Sequence, residues 1–325
     1  MGESEGVRPR PSRGRIVITG ASGFIGSHLV PALVAEDYEP ICVMEPGAEN
    51  TFVGAQTYSV DICTAQGLSK ALTGAKAVVH LAARNHVLRE TEKDPLSAYR
   101  GVNVEGTRNV VRATVQAGAQ WFIHFSSVKA MGEGGDAVFD ENSPCNPSTP
   151  YGISKLESEE VVRQETEESG LRAVIFRLPM AYGPRNLGNL PRMIRWADRG
   201  LPFPLFQPDN LRSMVYVGNV VHAILLAIQN APSGVSTYIL KDMEDCSTRR
   251  LYAAVCRELG KTPRFLPVPA WMVRLGGVLS ADIRKVTGSF RVSSEKIRRE
   301  LGYVPPFSLE QGIAETVEWY RRSGR

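Results

Sequence analysis

The sequence predicts an α/β fold: a doubly wound parallel sheet followed by a smaller, mainly helical C-terminal lobe. Three observations lead there. Short β-branched runs alternate with stretches of helical spacing from residue 15 to about 240, a pattern that calls for parallel strands covered on both faces. A glycine-rich turn joins the first such run to the first helical stretch. Beyond about residue 245 the texture changes, with Pro263, Pro267, Pro269, Pro305 and Pro306 interrupting helical segments.

Each element follows in order. Residues 1–13 are polar, lack an apolar core of the secretory kind, and read as a disordered tail. "RIVITG" (15–20) is a buried strand, and "GFIGSHLVPALVAE" continues with helical spacing. Strands are expected at "PICVME" (40–45), "AVVHLAA" (77–83), "WFIHFSS" (121–127), "RAVIFRLP" (172–179) and "STYIL" (236–240). Helices are expected over 96–117, 151–168 and 216–229. The stretch 183–213 is rich in Pro, Gly and Arg and reads as a loop belonging to the second lobe. The expected division is therefore a tail (1–13), a first domain (14–180, also receiving 214–245), and a substrate lobe (181–213 with 246–325).

The bulk numbers narrow the function. With 43% hydrophobic residues in 325, a sizeable core can form. The formal charge of +4 is too small and too dispersed for a nucleic-acid footprint. The five cysteines include no C-x-x-C pair, which speaks against a metal site or a disulfide framework and for a reducing compartment. No apolar run reaches the ~18 residues of a membrane span. A cytoplasmic enzyme without membrane insertion is the expectation.

Three motifs carry chemistry. In "TGASGFIG", Gly20, Gly23 and Gly26 lie between a strand and a helix. Glycine permits the tight turn, lets backbone N–H groups approach a pyrophosphate, and lets the helix pack against the strand. A turn with no ligand would use the same residues. An acidic residue about 20 positions on, at the end of the second strand, bonds the ribose 2′-OH of NAD and repels the 2′-phosphate of NADP. Glu45 is in that place, and a solvated turn glutamate is its other reading; NADP is not excluded. Asp61 either caps a helix or holds the adenine amino group. Lastly, "YGISK" puts Tyr151 and Lys155 on one face of a helix whose first position is Pro150. An ammonium beside a phenol favours the tyrosinate, so the Tyr151 pKa is expected to fall toward the working pH, as an acid/base for hydride transfer requires. Alone, that spacing is common by chance.

Together these motifs resemble one family. Gly20-x-x-Gly23-x-x-Gly26, "HLAA" (80–83), Asn103, Ser127 and Tyr151-x-x-x-Lys155 occur in the order of the extended short-chain dehydrogenases/reductases, the NAD-dependent epimerase/dehydratase family. "YGPR" (182–185), "RSMVYVGNVVHAI" (212–224) and "LGYVPPFSLEQGI" (301–313) extend the resemblance to nearly the whole chain from residue 14. It implies a Rossmann-type first domain binding NAD. Gly20, Ser22, Gly23, Phe24, Ile25 and Gly26 would hold the pyrophosphate, and Asp61 and Ile62 would edge the adenine. Leu81, Ala82 and Ala83 would line the cleft, and Lys155 would bond the nicotinamide ribose. Ser127, Tyr151, Lys155 and the helix-kinking Asn103 would be the catalytic set. Pro179 and Met180 would lie near the nicotinamide and the sugar. Arg185, Asn189 and Arg212 would contact a nucleotide-sugar substrate, with Arg212 gripping its diphosphate. A surface salt bridge is the plain alternative for Arg212. No metal is implied, and a homodimer through the 96–117 helix is.

Fold does not fix the substrate. The strings resemble the UDP-glucose 4-epimerase-like subgroup that includes UDP-N-acetylquinovosamine-forming 4-ketoreductases of bacterial O-antigen synthesis. Typical epimerases of the family carry S-S-x-x-V-Y-G and R-x-x-N-x-Y-G-P; Met131 and Met180 replace the tyrosine and the asparagine here. The readings are therefore reduction of a UDP-4-keto-6-deoxy-N-acetylhexosamine, 4-epimerisation of a UDP-hexose, and a non-catalytic dinucleotide-binding protein. Reduction of a steroid or flavonoid ketone would use the same catalytic set. Within "HFSSVKAMGEGG" (124–135), Ser127 is expected to face substrate and Ser126 to support cofactor or backbone. Lys129 meets either substrate anions or solvent.

Overall fold

The computed structural model describes residues 11–49, 52, 55–85, 92–135, 137–205, 210–230, 232–268 and 289–324. At its centre is a seven-stranded sheet. Its strands are β1 (Arg15–Thr19), β2 (Glu39–Met44), β3 (Gln56–Ser59), β4 (Ala75–His80), β5 (Trp121–Ser127), β7 (Arg172–Leu178) and β11 (Val235–Ile239). They run parallel in the order β11-β7-β5-β4-β1-β2-β3. Parallel strands covered on both faces need apolar side chains on both, and Ile16, Val17 and Ile18 of β1 are all fully buried. Each such side chain contributes ~1.5–3 kcal/mol by leaving water.

Helices α1 (Gly26–Ala35) and α7 (Val217–Asn230) and the later α9 (Glu295–Leu301) bury Leu29, Leu33, Val220, Ile224 and Ile297 on one face. On the other face α2 (Leu68–Leu72), α4 (Thr107–Gln116) and α5 (Pro150–Ser169) bury Leu72, Val110, Val111, Val161 and Val162. After β1 the chain winds outward through β2 and β3, and after β4 through β5 and β7. The crevice at the carboxyl ends of β1 and β4 is thus the topological switch point, where this architecture binds ligands.

A further apolar cluster packs α6 (Asn189–Asp198), α8 (Thr248–Glu258) and α10 (Leu309–Ser323) around Tyr182 and Tyr216. Three two-stranded pairings tie distant segments together. They are β6 (Val138–Phe139) with β13 (Arg291–Val292), β8 (Met180–Tyr182) with β10 (Met214–Tyr216), and β9 (Phe203–Leu205) with β12 (Phe265–Pro267).

Several expectations need correction. The stretch 183–213 is not a plain loop, since it contains α6 and β9. Leu190, Ile194 and Ala197 form a buried stripe of helical spacing, hidden in the sequence by the exposed Arg192, Arg195 and Arg199. The half-buried edge strand β3 was not expected. Residues 1–10 of the expected tail lie outside the described residues. At its end, Arg13 is already anchored: its N–H donates to the Asp37 carbonyl at 2.9 Å and its guanidinium sits 4.9 Å over the Tyr38 ring. No helix among the described residues is long and apolar enough to cross a membrane.

Candidate active site

The glycine turn leaves β1 at the switch point. Gly20 has φ +68°, and a Cβ there would lie 2.7 Å from the Ala82 amide nitrogen. Only glycine lets the turn pass so close to the end of β4. A Cβ on Gly26 would run into the Ala21 carbonyl. The N–H groups of Ser22, Phe24 and Ile25 find no acceptor among the described residues, and they precede the first turn of α1. Free N–H groups ahead of a helix N-terminus are what an anionic pyrophosphate needs.

The expected flank residues are arranged around this turn. Glu45 is exposed just past β2. Asp61 follows β3, and its Oδ1 accepts the Cys63 N–H at 2.9 Å. That cap closes a turn, since α2 begins only at Leu68. Ile62 is buried against Gly106, and Leu81, Ala82 and Ala83 are half-buried past the end of β4.

Asn103 sits in a π-helical turn, Gly101–Gly106, between α3 (Pro95–Arg100) and α4. Its side-chain Oδ1 accepts the Arg84 N–H at 2.8 Å, and its Nδ2 donates to the Arg84 carbonyl at 3.1 Å and to Ser154 Oγ at 3.0 Å. Ser154 in turn donates to the Tyr151 carbonyl at 2.9 Å. Beneath lies His80, which sequence reasoning used only as part of a motif. Thr107 Oγ donates to the Asn103 carbonyl at 2.7 Å, so it accepts from His80 Nε2–H at 3.0 Å. His80 Nδ1 then accepts from the Thr19 hydroxyl at 2.7 Å. The imidazole is therefore neutral and of one tautomer, consistent with burial and the Lys155 charge pushing its pKa down to about 3. This chain of bonds ties the end of β1 to the turn that carries Asn103.

Ser127 ends β5 and is hydrogen-bonded to the Tyr151 phenol. Its Oγ also accepts the Lys129 N–H at 3.2 Å. Thr149 caps α5 through the Gly152 N–H, and Pro150 occupies the first turn, so the helix begins at Tyr151's doorstep. Lys155 is buried and its Nζ donates to the Phe125 carbonyl at 2.6 Å. Burial pulls its pKa down to about 8, against the opposing pull of Glu159.

The expected fall in the Tyr151 pKa is not found. Burial pushes the phenol up to about 12, only partly offset by the Ser127 bond, and Tyr99 adds to the rise. Sharing a helix face with Lys155 is not enough, because that ammonium is aimed at Phe125. Ser126 also departs from expectation. It faces away from Ser127, but its hydroxyl donates to the Glu159 carboxylate at 2.6 Å, not to cofactor or backbone.

The chain from Ile16 to Leu240 matches the family model described as NAD dependent epimerase/dehydratase family. The chain belongs to this family. It is 31% identical to a UDP-glucose 4-epimerase of Vibrio cholerae over 93% of this chain and 94% of the relative. It is also 31% identical to an N-acetyl-α-D-glucosaminyl-diphospho-ditrans,octacis-undecaprenol 4-epimerase of Escherichia coli O157:H7, covering 94% of each. Among solved structures, MoeE5 in complex with UDP-glucuronic acid and NAD superposes with a TM-score of 0.79 at 27% identity, covering 95% of this chain and 100% of that one.

As in an NAD-dependent family member, the turn Gly20–Gly26 fits the cofactor: its unpaired N–H groups and glycine clearances suit a pyrophosphate. The residues expected on the substrate side differ in exposure. Pro179 is half-buried and Met180 exposed at the start of β8. Arg185 is exposed with φ +68°, a left-handed conformation that a non-glycine residue holds at a cost of ~1–2 kcal/mol. Its neighbour Pro184 is tied to α1, since His28 Nε2 is 2.9 Å from the Pro184 carbonyl. Asn189 is exposed at the start of α6. Arg212 is half-buried, its pKa lowered by burial, and its backbone bridges Cys246 on one side and Phe290 on the other. Met131 is buried beside Val128, Phe290 and Val292. Lys129 is engaged by Glu133 at 2.7 Å and stands over the Phe290 ring.

Two further groups escaped sequence reasoning. Arg84 stands over the Tyr99 ring, which meets Tyr151 edge-on at 5.8 Å between centroids. Asp242, fully inside, accepts from Tyr182 at 2.8 Å, from the Tyr216 N–H at 2.8 Å and from Asn219 at 2.7 Å. Asn219 also clasps the Phe307 backbone through two bonds, so this knot holds α7, β8, β10 and the segment leading into α10 together.

Proposed function

We propose that the protein is an NAD-dependent oxidoreductase acting at C4 of a UDP-sugar, reducing a UDP-4-keto-6-deoxy-N-acetylhexosamine in cytoplasmic synthesis of a bacterial surface polysaccharide, and that it works as a homodimer. The observation carrying the reading is that the end of β5 and the first turns of α5 bring Ser127, Tyr151 and Lys155 together, with Asn103 bonded to Ser154 beside them. Reduced NAD, when bound, supplies the hydride. Ser127 donates a hydrogen bond to the C4 oxygen, and Tyr151 delivers a proton to that oxygen as the alkoxide forms. Burial pushes the phenol pKa up, as suits a group that donates a proton. The Lys155 ammonium, seated on the Phe125 carbonyl, is assigned to the nicotinamide ribose. Arg212, Arg185 and Asn189 are assigned to the diphosphate end, where a guanidinium fork pairs two phosphate oxygens. Met131, buried where typical epimerases of the family carry a tyrosine, supports the same reading.

The second reading is 4-epimerisation of a UDP-hexose or a related diphospho-sugar, and the two relatives at 31% identity favour it. One experiment separates the two. The protein is incubated with UDP-4-keto-6-deoxy-N-acetylglucosamine and NADH or NADPH, and separately with UDP-glucose. Stoichiometric oxidation of the nicotinamide supports reduction. Interconversion of UDP-glucose and UDP-galactose without net oxidation replaces it with epimerisation.

A further inference from the structure

Glu159 lies one helical turn beyond Lys155 on α5 and is completely buried. A buried carboxylate is costly unless its oxygens are satisfied. Here Arg177 of β7 approaches with both fork nitrogens, Nε at 2.9 Å from one oxygen and Nη2 at 2.8 Å from the other. Ser126 adds a hydroxyl at 2.6 Å and Arg163 a guanidinium nitrogen at 3.0 Å. Burial alone would raise this carboxyl, but those donors win and hold it below the ordinary carboxylate range. The assembly lies on the same face of α5 as the lysine.

The groups facing Lys155 explain why that matters. From β4 and β5 come His80 and His124, both neutral, and each imidazole is pushed further down by the Lys155 charge. On α5 itself lie Tyr151, Glu159 and Arg163, and from β7 comes Arg177, already paired to Glu159. Among the described residues the ammonium donates its hydrogen bond to the neutral Phe125 carbonyl. Glu159 is thus the anion among these neighbours.

We infer that Glu159, fixed by Ser126 and Arg177, is a positioning residue that keeps the Lys155 amine charged and seated on the Phe125 carbonyl. This deepens the proposed function, because it rests on a charged Lys155 serving the C4 chemistry beside Tyr151. It also gives the two adjacent serines of β5 separate tasks: Ser127 faces the reacting oxygen, and Ser126 locks the counter-ion of the lysine.

The test pairs an activity profile with a direct titration. Rates are measured from pH 6 to 9 for the wild type, Glu159→Gln and Glu159→Asp. Lys155 is followed by NMR of the side-chain carbon in lysine-labelled protein, assigned with Lys155→Arg. Removing the nearby charge moves the titration down by about one unit, so Glu159→Gln at pH 8 retains about a fifth of wild-type kcat/KM, and at pH 6 differs by less than about twofold. Glu159→Asp keeps the charge and restores most of the alkaline range. A merely structural ion pair would lower activity equally at every pH and leave the Lys155 titration in place, and that result overturns the inference. Should Glu159→Gln fail to fold, Ser126→Ala/Glu159→Met/Arg177→Met replaces the whole assembly with apolar groups, a change that buried ion pairs tolerate. An unshifted Lys155 in that folded variant is equally fatal. If no tested sugar turns over in the wild type, the proposed function fails, while the NMR titration still decides the role of Glu159.

Discussion

Acidification should destabilise this protein through its two central histidines. His80 and His124 are both 1% exposed, and both are neutral in the fold. In the unfolded chain each returns to a pKa of about 6.5. A folded value below the unfolded one means that the unfolded state takes up more protons, so stability is present above pH ~6.5 and is lost as pH falls below it. Between pH 7 and pH 5, each imidazole that stays neutral in the fold costs about 1.9 kcal/mol, so the pair removes about 4 kcal/mol. That is a large share of the ~5–15 kcal/mol that holds a typical domain together. Glu141 and Asp242, raised above the ordinary carboxylate range by burial, act in the opposite sense and regain a little stability on acidification. The assay is urea unfolding at pH 7, 6 and 5, with His80→Gln and His124→Gln alongside. Each variant should be less stable at pH 7 and show a shallower pH slope. A wild-type stability that changes by less than about 1 kcal/mol over this range would refute the neutral, buried assignment.

Other outcomes follow from the site. Tyr151→Phe should lose at least ~100-fold in kcat with NAD affinity within a few-fold of wild type, because it removes the transferred proton and little else; near-normal turnover removes Tyr151 from the chemistry. Arg212→Ala should raise KM for a UDP-sugar by ~10-fold or more while leaving the Kd for NAD unchanged, as loss of a charge-assisted phosphate bond predicts. An unchanged KM discards the diphosphate role. Gly20→Ala places a methyl against the Ala82 amide at a positive φ, so calorimetric NAD binding should weaken ~100-fold or the protein should lose ~2 kcal/mol of stability. Glu45→Ala should narrow the preference for NAD over NADP, read as a ratio of Kd values; a wild type that already prefers NADP rules out the ribose role.

The legible parts of this molecule were those whose reasons are local. β1, β4 and β5 declare themselves because buried parallel strands must be apolar on both faces, and the glycine turn because its clearances exclude side chains. The resemblance to the family points to Asn103, Ser127, Tyr151 and Lys155, and the fold brings them to one end of the sheet. What stayed hidden depends on distant partners. "KLESEE" is dense in charge, yet Glu159 is sealed inside by Arg177 and Ser126 from two different strands. The polar look of α6 comes from its outward arginines, and only its packing against α8 and α10 reveals the apolar stripe. The Tyr151 phenol was misjudged because sequence spacing reports which residues share a helix face and not where an ammonium is aimed.

The π-turn at Asn103 has a consequence for how this site tolerates change. Such a turn is an α-helix with one residue too many. Deleting a single residue from 101–106 would let α3 run into α4 as one regular helix, with better backbone geometry. The wide turn absorbs the extra residue, so the faces of α3 and α4 would stay where they are and the loss would fall on the turn itself. Asn103 would lose the backbone position from which it reaches Arg84 and Ser154. Shortening the chain there yields a tidier helix that keeps its packing and gives up the one side chain the bulge presents.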